Sequence, residues 1–270
     1  MTAIRRRFKS WIRTATKRAG VSISSTRSVR SYERHVEGIV AEFEQYYVGA
    51  SRCGLNSNQQ RARLMTRLLG TNIIEALHIA GALQSTRSLP GDVCEFGVAQ
   101  GATSALIANE ISPTDKMLWL FDSFQGLPAP TEKDRLIDDI FGLGTMAAYE
   151  GTMACGKDLV LERLSEISFP QDRTRLVEGF IEKTLPAITF DKGVSFAYID
   201  LDFYLPIQLA LNKCHAFSRP GAVLIVDDYG FFSDGAQAAV DEFLGEHRGK
   251  YAVQKHHGPT GHFAVLARTA

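Results

Sequence analysis

Residues 92–104, DVCEFGVAQGATS, indicate the fold more clearly than any other stretch of the chain. Five residues typical of a buried strand come first, followed by a turn at Gly97 and Gly101 and then a run that favours a helix. Parallel strands need a crossover between them, which is usually a helix. A strand, a glycine turn and a helix in this order therefore predict the first unit of a parallel α/β sheet.

The same alternation continues to the end of the chain. Apolar runs predict six more strands, at residues 117–121, 174–177, 194–199, 222–226, 251–255 and 262–267. Helical periodicity predicts helices at residues 102–110, 157–167, 205–216 and 236–246. We expect a seven-stranded, mostly parallel sheet with helices on both faces. A short turn joins the last two strands, so they should form an antiparallel hairpin at one edge.

Composition excludes several classes of protein. Of the 270 residues, 45% are apolar and 22% are charged, which is ordinary for a soluble domain. No apolar run reaches the roughly 18 residues that a membrane-spanning helix needs. The four cysteines are scattered and form no CxxC pair. They indicate reduced thiols and a cytoplasmic protein rather than a disulfide scaffold.

Charge is distributed unevenly along the chain. Residues 1–34 contain ten basic side chains and one acidic side chain, a net +9, and because the whole chain is neutral the remainder carries −9. This basic segment is consistent with a solvated tail, with an amphipathic helix in peripheral contact with an anionic membrane, or with an organellar transit peptide.

Residues 35–89 predict a helical extension, including a helix at 37–47 and a break near Gly70, after which Thr71 or Asn72 caps a new helix. Residues 90–270 form the main domain.

Ligands of open parallel sheets bind beyond the carboxyl ends of the strands. After the first strand, Gly97 and Gly101 permit close approach of the backbone to a ligand, and the next helix directs its N-terminus to the same place. The spacing is not GxGxxG, so a dinucleotide is not indicated. Glu95 suits a cationic ligand, and Asp122, at the end of the second strand, suits the hydroxyls of a ribose. Together they predict a nucleoside site.

Acidic residues end two neighbouring strands. Asp200 and Asp202 follow the fourth strand in YIDLDFY, and Asp227 and Asp228 follow the fifth in VLIVDDYG. Carboxylates in one small volume raise one another's pKa unless a cation lies among them. Ligation by oxygen atoms alone suits Mg²⁺. Capping of the following helices explains one or two of these residues but not all four, so the sequence predicts a metal site.

The motifs together resemble those of a known family. CEFGVAQGATS, LFDSFQGLP, VEGFIEKTLP, YIDLDFY, PGAVLIVDDYG and GAQAAVDEF occur in this order in the macrocin (TylF-type) O-methyltransferases, which include the novobiocin sugar methyltransferase. The resemblance covers about residues 62–268. It implies a class I methyltransferase (Rossmann-like) fold, S-adenosylmethionine (SAM) as methyl donor, Mg²⁺, and a hydroxyl acceptor on a sugar of a small molecule or glycoconjugate. It also implies a homo-oligomer.

The resemblance also assigns roles to individual residues. The residues assigned to SAM are Glu95, Gly97 and Gly101 along the methionine part, Asp122 at the ribose, and Glu178 and Gly179 near the adenine. Thr103 and Ser123 are also assigned to SAM binding. Those matching the metal-binding acids are Asp200, Asp227 and Asp228. Asp200 and Asp202 are the two candidate catalytic bases. Residues 127–155 match a mobile lid, and the glycines in it suit movement.

Three alternatives to a sugar O-methyltransferase stay open at this point. A catechol-type O-methyltransferase would use the same metal chemistry on adjacent phenolic hydroxyls. A non-catalytic SAM-binding protein would share the fold, although it would have no need of the metal acids. A nucleic-acid methyltransferase would account for the basic N-terminal segment, but the net charge of −9 on the rest of the chain repels a phosphate backbone. We therefore expect no nucleic-acid partner.

Overall fold

The strands and helices alternate as predicted. The computed structural model describes residues 60–258 and 261–270, together with Tyr32, Val36, Glu37, Leu55 and Asn58. Its strands are β1 (Asp92–Phe96), β2 (Leu118–Asp122), β3 (Thr174–Glu178), β4 (Val194–Ile199), β5 (Ser218–Val226), β6 (Tyr251–His256) and β7 (Phe263–Arg268). Its helices are α1 (Arg61–Met65), α2 (Ile73–Ser85), α3 (Ala102–Ile111), α4 (Lys157–Glu166), α5 (Ile181–Thr184), α6 (Tyr204–Phe217) and α7 (Asp234–Glu246). Short 3₁₀ helices lie at Met146–Tyr149, Gln171–Arg173 and Leu185–Ala187.

The strands form one sheet in the order β3-β2-β1-β4-β5-β7-β6. Strands β1 to β5 are parallel to their neighbours, whereas β7 is antiparallel to both β5 and β6. The predicted seven-stranded sheet with an antiparallel hairpin at its edge is confirmed. Strand order reverses between β1 and β4, so the crevice beyond the carboxyl ends of these two strands is the expected ligand site.

Helices cover both faces of the sheet. Side chains at alternate strand positions enter two separate apolar clusters, because successive residues of a strand point to opposite faces. Phe96, Ile199 and Val226 pack with α6 and α7 on one face. Val93 and Ile225 belong to the cluster on the other face, which includes residues of α2, α3 and α4. The central strands are therefore apolar at nearly every position rather than alternating.

The helical extension follows the predicted break. Gly70 has a φ of +100°, and the Asn72 side chain caps α2 by accepting a hydrogen bond of 2.8 Å from the backbone N–H of Ile74. Helices α1 and α2 pack on α3 through an apolar cluster that includes Leu64 and Leu106. Of the helix predicted at 37–47, only Glu37 is described; residues 38–47 and, apart from Tyr32, the basic segment 1–34 lie outside the described residues.

Strand β5 begins four residues before the predicted position. Ser218 pairs with Val194 of β4, and the register between the two strands then shifts before Phe196 pairs with Val223. Residues 219–221 are exposed and include Pro220, which the apolar pattern excluded from the strand. In the part of the chain that the structure describes, no helix is long and apolar enough to cross a membrane.

A buried ion pair connects the helical extension to the main domain. The Arg61 guanidinium donates from Nε to Oε1 of Glu110 at 2.8 Å and from Nη2 to Oε2 at 2.7 Å. The two side chains are only 2% and 6% exposed. Two parallel hydrogen bonds between an arginine and a carboxylate give the pair a fixed geometry. The pair therefore fixes α1 against α3.

We predict that Arg61→Ala lowers the free energy of unfolding by about 3–5 kcal/mol, because it leaves the Glu110 carboxylate buried without its partner. The control is Arg67→Ala, which removes a pair with Glu166 whose side chains are 47% and 49% exposed. Such an exposed pair contributes about 0–1 kcal/mol. Urea unfolding measures both variants. Equal losses would show that the Arg61 pair does not hold the extension in place.

Candidate active site

The turn after β1 packs directly against the end of β4. Gly97 has a φ of +84°, and a Cβ at this position would clash with the backbone oxygen of Asp200. The Asp200 N–H donates to the Phe96 carbonyl at 2.8 Å. The close backbone approach predicted for Gly97 is therefore made with the protein's own β4. As a result, the turn lies beside the first acid of the predicted metal site.

Asp122 holds this turn in shape. Its Oδ2 accepts hydrogen bonds from the backbone N–H groups of Val98 and Ala99, both at 2.8 Å, and its Oδ1 accepts one from Phe124 at 2.6 Å. A carboxylate has about four acceptor positions. Oδ1 thus keeps a free position for a ligand hydroxyl, while Oδ2 is occupied by the turn. The predicted contact of Asp122 with the ribose hydroxyls stays a prediction, with Oδ1 as the oxygen that offers the free acceptor position.

Gly101 ends the turn and caps α3. Its φ is +73°, and a Cβ there would lie 3.0 Å from the Cα of Val160 in α4. A glycine therefore lets α4 approach the beginning of α3. The N–H groups of the first turn of a helix carry partial positive charge, so this end of α3 attracts an anionic group such as a carboxylate.

Glu95 lies in β1 immediately before the turn and is completely buried. Neither carboxyl oxygen has a hydrogen-bond partner among the described residues. Burial raises the pKa of Glu95 to about 8; the nearby Ser104 hydroxyl opposes this rise and the charge of Asp122 adds to it. A buried carboxyl group without a partner is costly. A cationic ligand group would supply that partner, and the role of Glu95 in binding the donor stays a prediction.

The remaining residues assigned to SAM surround the same turn. The Thr103 hydroxyl lies 2.7 Å from that of Thr71, and the Ser123 hydroxyl donates to the Gly126 carbonyl at 3.0 Å. Both hydroxyls are thus engaged within the protein. Glu178 ends β3 and pairs with Lys157, and the next residue, Gly179, donates its N–H to the Asp122 carbonyl at 2.9 Å. These two residues flank Asp122 at the sheet edge.

Three acids lie close together beyond β4 and β5. Among the described residues, Asp200, Asp202 and Asp228 form a group in which one carboxylate oxygen from each lies within 4.8 Å of the others. All three side chains are half-buried. Asp202 and Asp228 have φ values of +62° and +55°, a conformation that is unfavourable for residues with a Cβ and is often found at functional sites. Three carboxylate oxygens at this spacing fit a hard divalent cation.

Asp227 lies behind this group. Its Oδ2 accepts a hydrogen bond of 3.1 Å from the Tyr198 hydroxyl, and its Oδ1 accepts one of 2.8 Å from the Asp228 N–H. Burial, followed by the charge of Asp228, raises the pKa of Asp227 to about 7. Burial and the charge of Asp227 hold the pKa of Asp200 well above its usual range. The assignment of Asp227 as a metal ligand stays a prediction, and Asp202 takes its place in the group of three.

Sequence reasoning missed Glu75. This residue of α2 is 1% exposed, and its carboxyl group lies within hydrogen-bonding reach of Asp227. Burial and the neighbouring charges of Asp227 and Asp200 raise the pKa of Glu75 well above its usual range. The signal in the sequence was an acid in the apolar run TNIIEALHIAG. Nothing else in that run indicates chemistry, and only the fold brings α2 to the acids.

The segment predicted as a lid lies beside the acids. Leu127 exchanges backbone hydrogen bonds with Gly151 and Thr152, which closes the segment at its base. Its apolar side chains form a cluster with residues that follow β4 and β5: Leu127, Met146 and Tyr149 from the lid, with Phe203 and Phe232. Glycines 142, 144 and 151 have positive φ values and open space around them. Movement of the lid stays a prediction.

The chain is similar to known O-methyltransferases. The family model of macrocin-O-methyltransferase (TylF) matches residues 28–256. Mycinamicin III 3''-O-methyltransferase of Micromonospora griseorubida is 26% identical over 220 residues, which cover 79% of this chain and 82% of that protein. The 8-demethyl-8-(2,3-dimethoxy-alpha-L-rhamnosyl)-tetracenomycin-C 4'-O-methyltransferase of Streptomyces olivaceus is 26% identical over 168 residues, which cover 61% of this chain and 60% of that protein.

Solved structures support the fold. The structure of the O-methyltransferase NovP superposes with a TM-score of 0.63 at 20% identity, covering 88% of this chain and 100% of that chain. The sheet order and the antiparallel β7 are those expected of a class I methyltransferase. Because the family model spans most of its length, the chain belongs to the macrocin-O-methyltransferase (TylF) family.

Proposed function

We propose that this protein transfers a methyl group from SAM to a sugar hydroxyl of a natural product or glycoconjugate, with Mg²⁺ assisting deprotonation. The observation that carries the proposal is the packing of Gly97 on the backbone of Asp200. This contact places a turn suited to a cationic nucleoside directly beside a group of three carboxylates. The sugar acceptor is supported by the family and by relatives whose names describe methylation of glycosylated antibiotics.

The residues around the turn suit SAM. When bound, SAM supplies a methyl group on a positively charged sulfonium. The ionised form of Glu95 would balance a positive charge at the methionine end of the donor, and the N-terminus of α3 attracts a carboxylate. Oδ1 of Asp122 has an acceptor position left for a ribose hydroxyl. Glu178 and Gly179 flank the place where the adenine would lie.

The acids suit both metal binding and proton transfer. A divalent cation held by Asp200, Asp202 and Asp228 would lower the pKa of a neighbouring hydroxyl. Asp200 or Asp202 is the base that would accept the proton of the acceptor hydroxyl. The turn and the acids hold the two reactants side by side, which replaces an encounter in solution by a reaction within one pocket. The apolar cluster of Leu127, Tyr149 and Phe232 excludes water on the lid side.

Replacing an acid should affect turnover, whereas replacing the ribose contact should affect the affinity for SAM. We predict that Asp200→Asn lowers kcat by about 10²-fold or more, since it removes a carboxylate charge from the acid group, while the affinity for SAM changes less than about threefold. Asp172→Asn, an exposed acid at the far end of the sheet, is the control. Turnover with Mg²⁺ and calorimetric titration with SAM measure the two effects. Normal turnover of Asp200→Asn would refute the role of the acids.

The companion variant is Asp122→Ala. It removes the acceptor of three backbone hydrogen bonds and of the predicted ribose contact, so we expect the affinity for SAM to fall at least about tenfold. Calorimetric titration with SAM is again the measurement. An unchanged dissociation constant would show that the donor does not bind at this turn.

The affinity for SAM should depend on pH through Glu95. Its carboxyl group is protonated below a pKa of about 8, and a cationic donor favours the ionised form. Affinity should therefore rise with pH, by up to about tenfold per pH unit below 8, and level off above it. The free energy of unfolding of the unliganded protein should fall as the pH rises to about 8. Below that pH, Glu95 in the folded state holds a proton that the unfolded state has released.

Calorimetry at pH 6.5, 7.5 and 8.5 tests this prediction. Glu95→Gln is the matched control, because the amide has nearly the same shape and cannot ionise. The variant should bind SAM more weakly at pH 8.5, with a smaller dependence on pH. Parallel pH profiles for the two proteins would contradict the assignment of Glu95 to the donor.

A further inference from the structure

Three buried hydroxyl groups form a chain from the donor turn to the acids. The Thr103 hydroxyl lies 2.7 Å from that of Thr71. Thr71 lies within hydrogen-bonding reach of Tyr198, whose hydroxyl lies 3.1 Å from Oδ2 of Asp227. Thr71 and Thr103 are each 8% exposed and Tyr198 is completely buried. The chain thus crosses from α3, through the segment before α2, to β4 and the end of β5.

The direction of each hydrogen bond follows from the number of protons available. Tyr198 donates its single hydroxyl proton to Oδ2 of Asp227. Tyr198 then has only its lone pairs for Thr71, and Thr71 must donate to it. Thr71 in turn has no proton left for Thr103, so Thr103 donates to Thr71. All three protons point towards Asp227, and hydrogen bonds aligned in one direction strengthen one another.

The end of this chain fixes both oxygens of Asp227. Oδ2 accepts from Tyr198, and Oδ1 accepts from the backbone N–H of Asp228 at 2.8 Å. These two bonds, together with the neighbouring Glu75 carboxyl group, set the plane of the carboxylate. Asp228 follows with a positive φ of +55°, and one of its carboxylate oxygens belongs to the group of three acids. The orientation of the Asp227 carboxylate therefore influences where the Asp228 side chain lies.

We propose that Tyr198 and Thr71 are positioning residues for the metal-assisted step: Tyr198 orients Asp227 and, through it, Asp228, while Thr71 orients Tyr198. The inference rests on the proposed function, since it concerns the same acids. It assigns a role to the helical extension, because Thr71 immediately precedes Asn72, the cap of α2. Thr71 thus connects the donor turn, through Thr103, with the acids, through Tyr198, although it belongs to neither group.

The test removes the hydroxyl of Tyr198 and keeps its ring. We expect Tyr198→Phe to weaken Mg²⁺ binding about 10–100-fold, as is usual when a residue that orients a metal ligand is lost, and to lower kcat with Mg²⁺ by a similar factor. SAM affinity should change less than about twofold. Calorimetric titration of the full chain with MgCl₂ and, separately, with SAM measures both affinities, and steady-state kinetics give kcat and KM.

Variants at Thr71 test the middle of the chain. Thr71→Val keeps the shape of the side chain and removes the hydroxyl, so it should weaken Mg²⁺ binding in the same direction as Tyr198→Phe. Thr71→Ser keeps the hydroxyl and should restore the affinity that Thr71→Val loses. Tyr251→Phe is the matched control: it removes a tyrosine hydroxyl bonded to His215 at 2.9 Å in the region of β6, away from the acids.

The outcomes separate this inference from the proposed function. If the unaltered protein needs no Mg²⁺ and binds none, both the metal part of the proposed function and this inference fall. If the unaltered protein binds Mg²⁺ and Tyr198→Phe binds it equally well, only the positioning role is wrong. A parallel loss of Mg²⁺ affinity, SAM affinity and melting temperature would show a merely structural role and would also overturn the inference. Selective loss of Mg²⁺ affinity supports it.

Discussion

The contact between Gly97 and the backbone of Asp200 is the constraint on which the site depends. It joins the carboxyl ends of β1 and β4, the two strands between which the order of the sheet reverses. Any side chain at Gly97 would push these ends apart. The turn that suits the donor and the acids that suit a cation are neighbours because this one position has no Cβ. The bonds from Asp122 to Val98 and Ala99 then hold the turn in that place.

The site favours cations because its carboxyl groups are buried and close together. Glu75, Glu95, Asp200 and Asp227 all have a pKa raised by burial, and for each of them neighbouring carboxylates add to the rise. Such a group of acids is strained when all are ionised, and positive charge relieves the strain. The proposed donor carries a positive charge next to Glu95, and the proposed cation lies among the acids beyond β4 and β5. The arrangement therefore favours both ligands by the same physical cause.

Much of the fold was predictable because its signals are local. Apolar runs gave the seven strands to within a few residues, and the short connection between the last two gave the antiparallel hairpin. Asn72 was among the predicted caps because its position after Gly70 marks a helix start. The beginning of β5 was not predicted correctly. Pro220 interrupts the apolar run, and only the pairing between Ser218 and Val194 extends the strand to Ser218. Residues at strand ends were predictable in position: Asp122 ends β2 and Asp200 follows β4, both at the carboxyl ends of the strands as expected.

The unpredicted parts of the site come from contacts distant in sequence. Nothing near Glu75 or Thr71 in the chain indicates that α2 lies against Asp227. The grouping of Asp202 with Asp200 and Asp228 depends on two positive φ angles, which the residue types permit but do not require. If the donor and metal sites adjoin as proposed, methyl transfer needs both ligands. The decisive measurement is methyl transfer from SAM to a panel of glycosides, with Mg²⁺ and again with EDTA. We expect turnover that EDTA abolishes and Mg²⁺ restores; turnover unaffected by EDTA would show that the acids do not act through a cation.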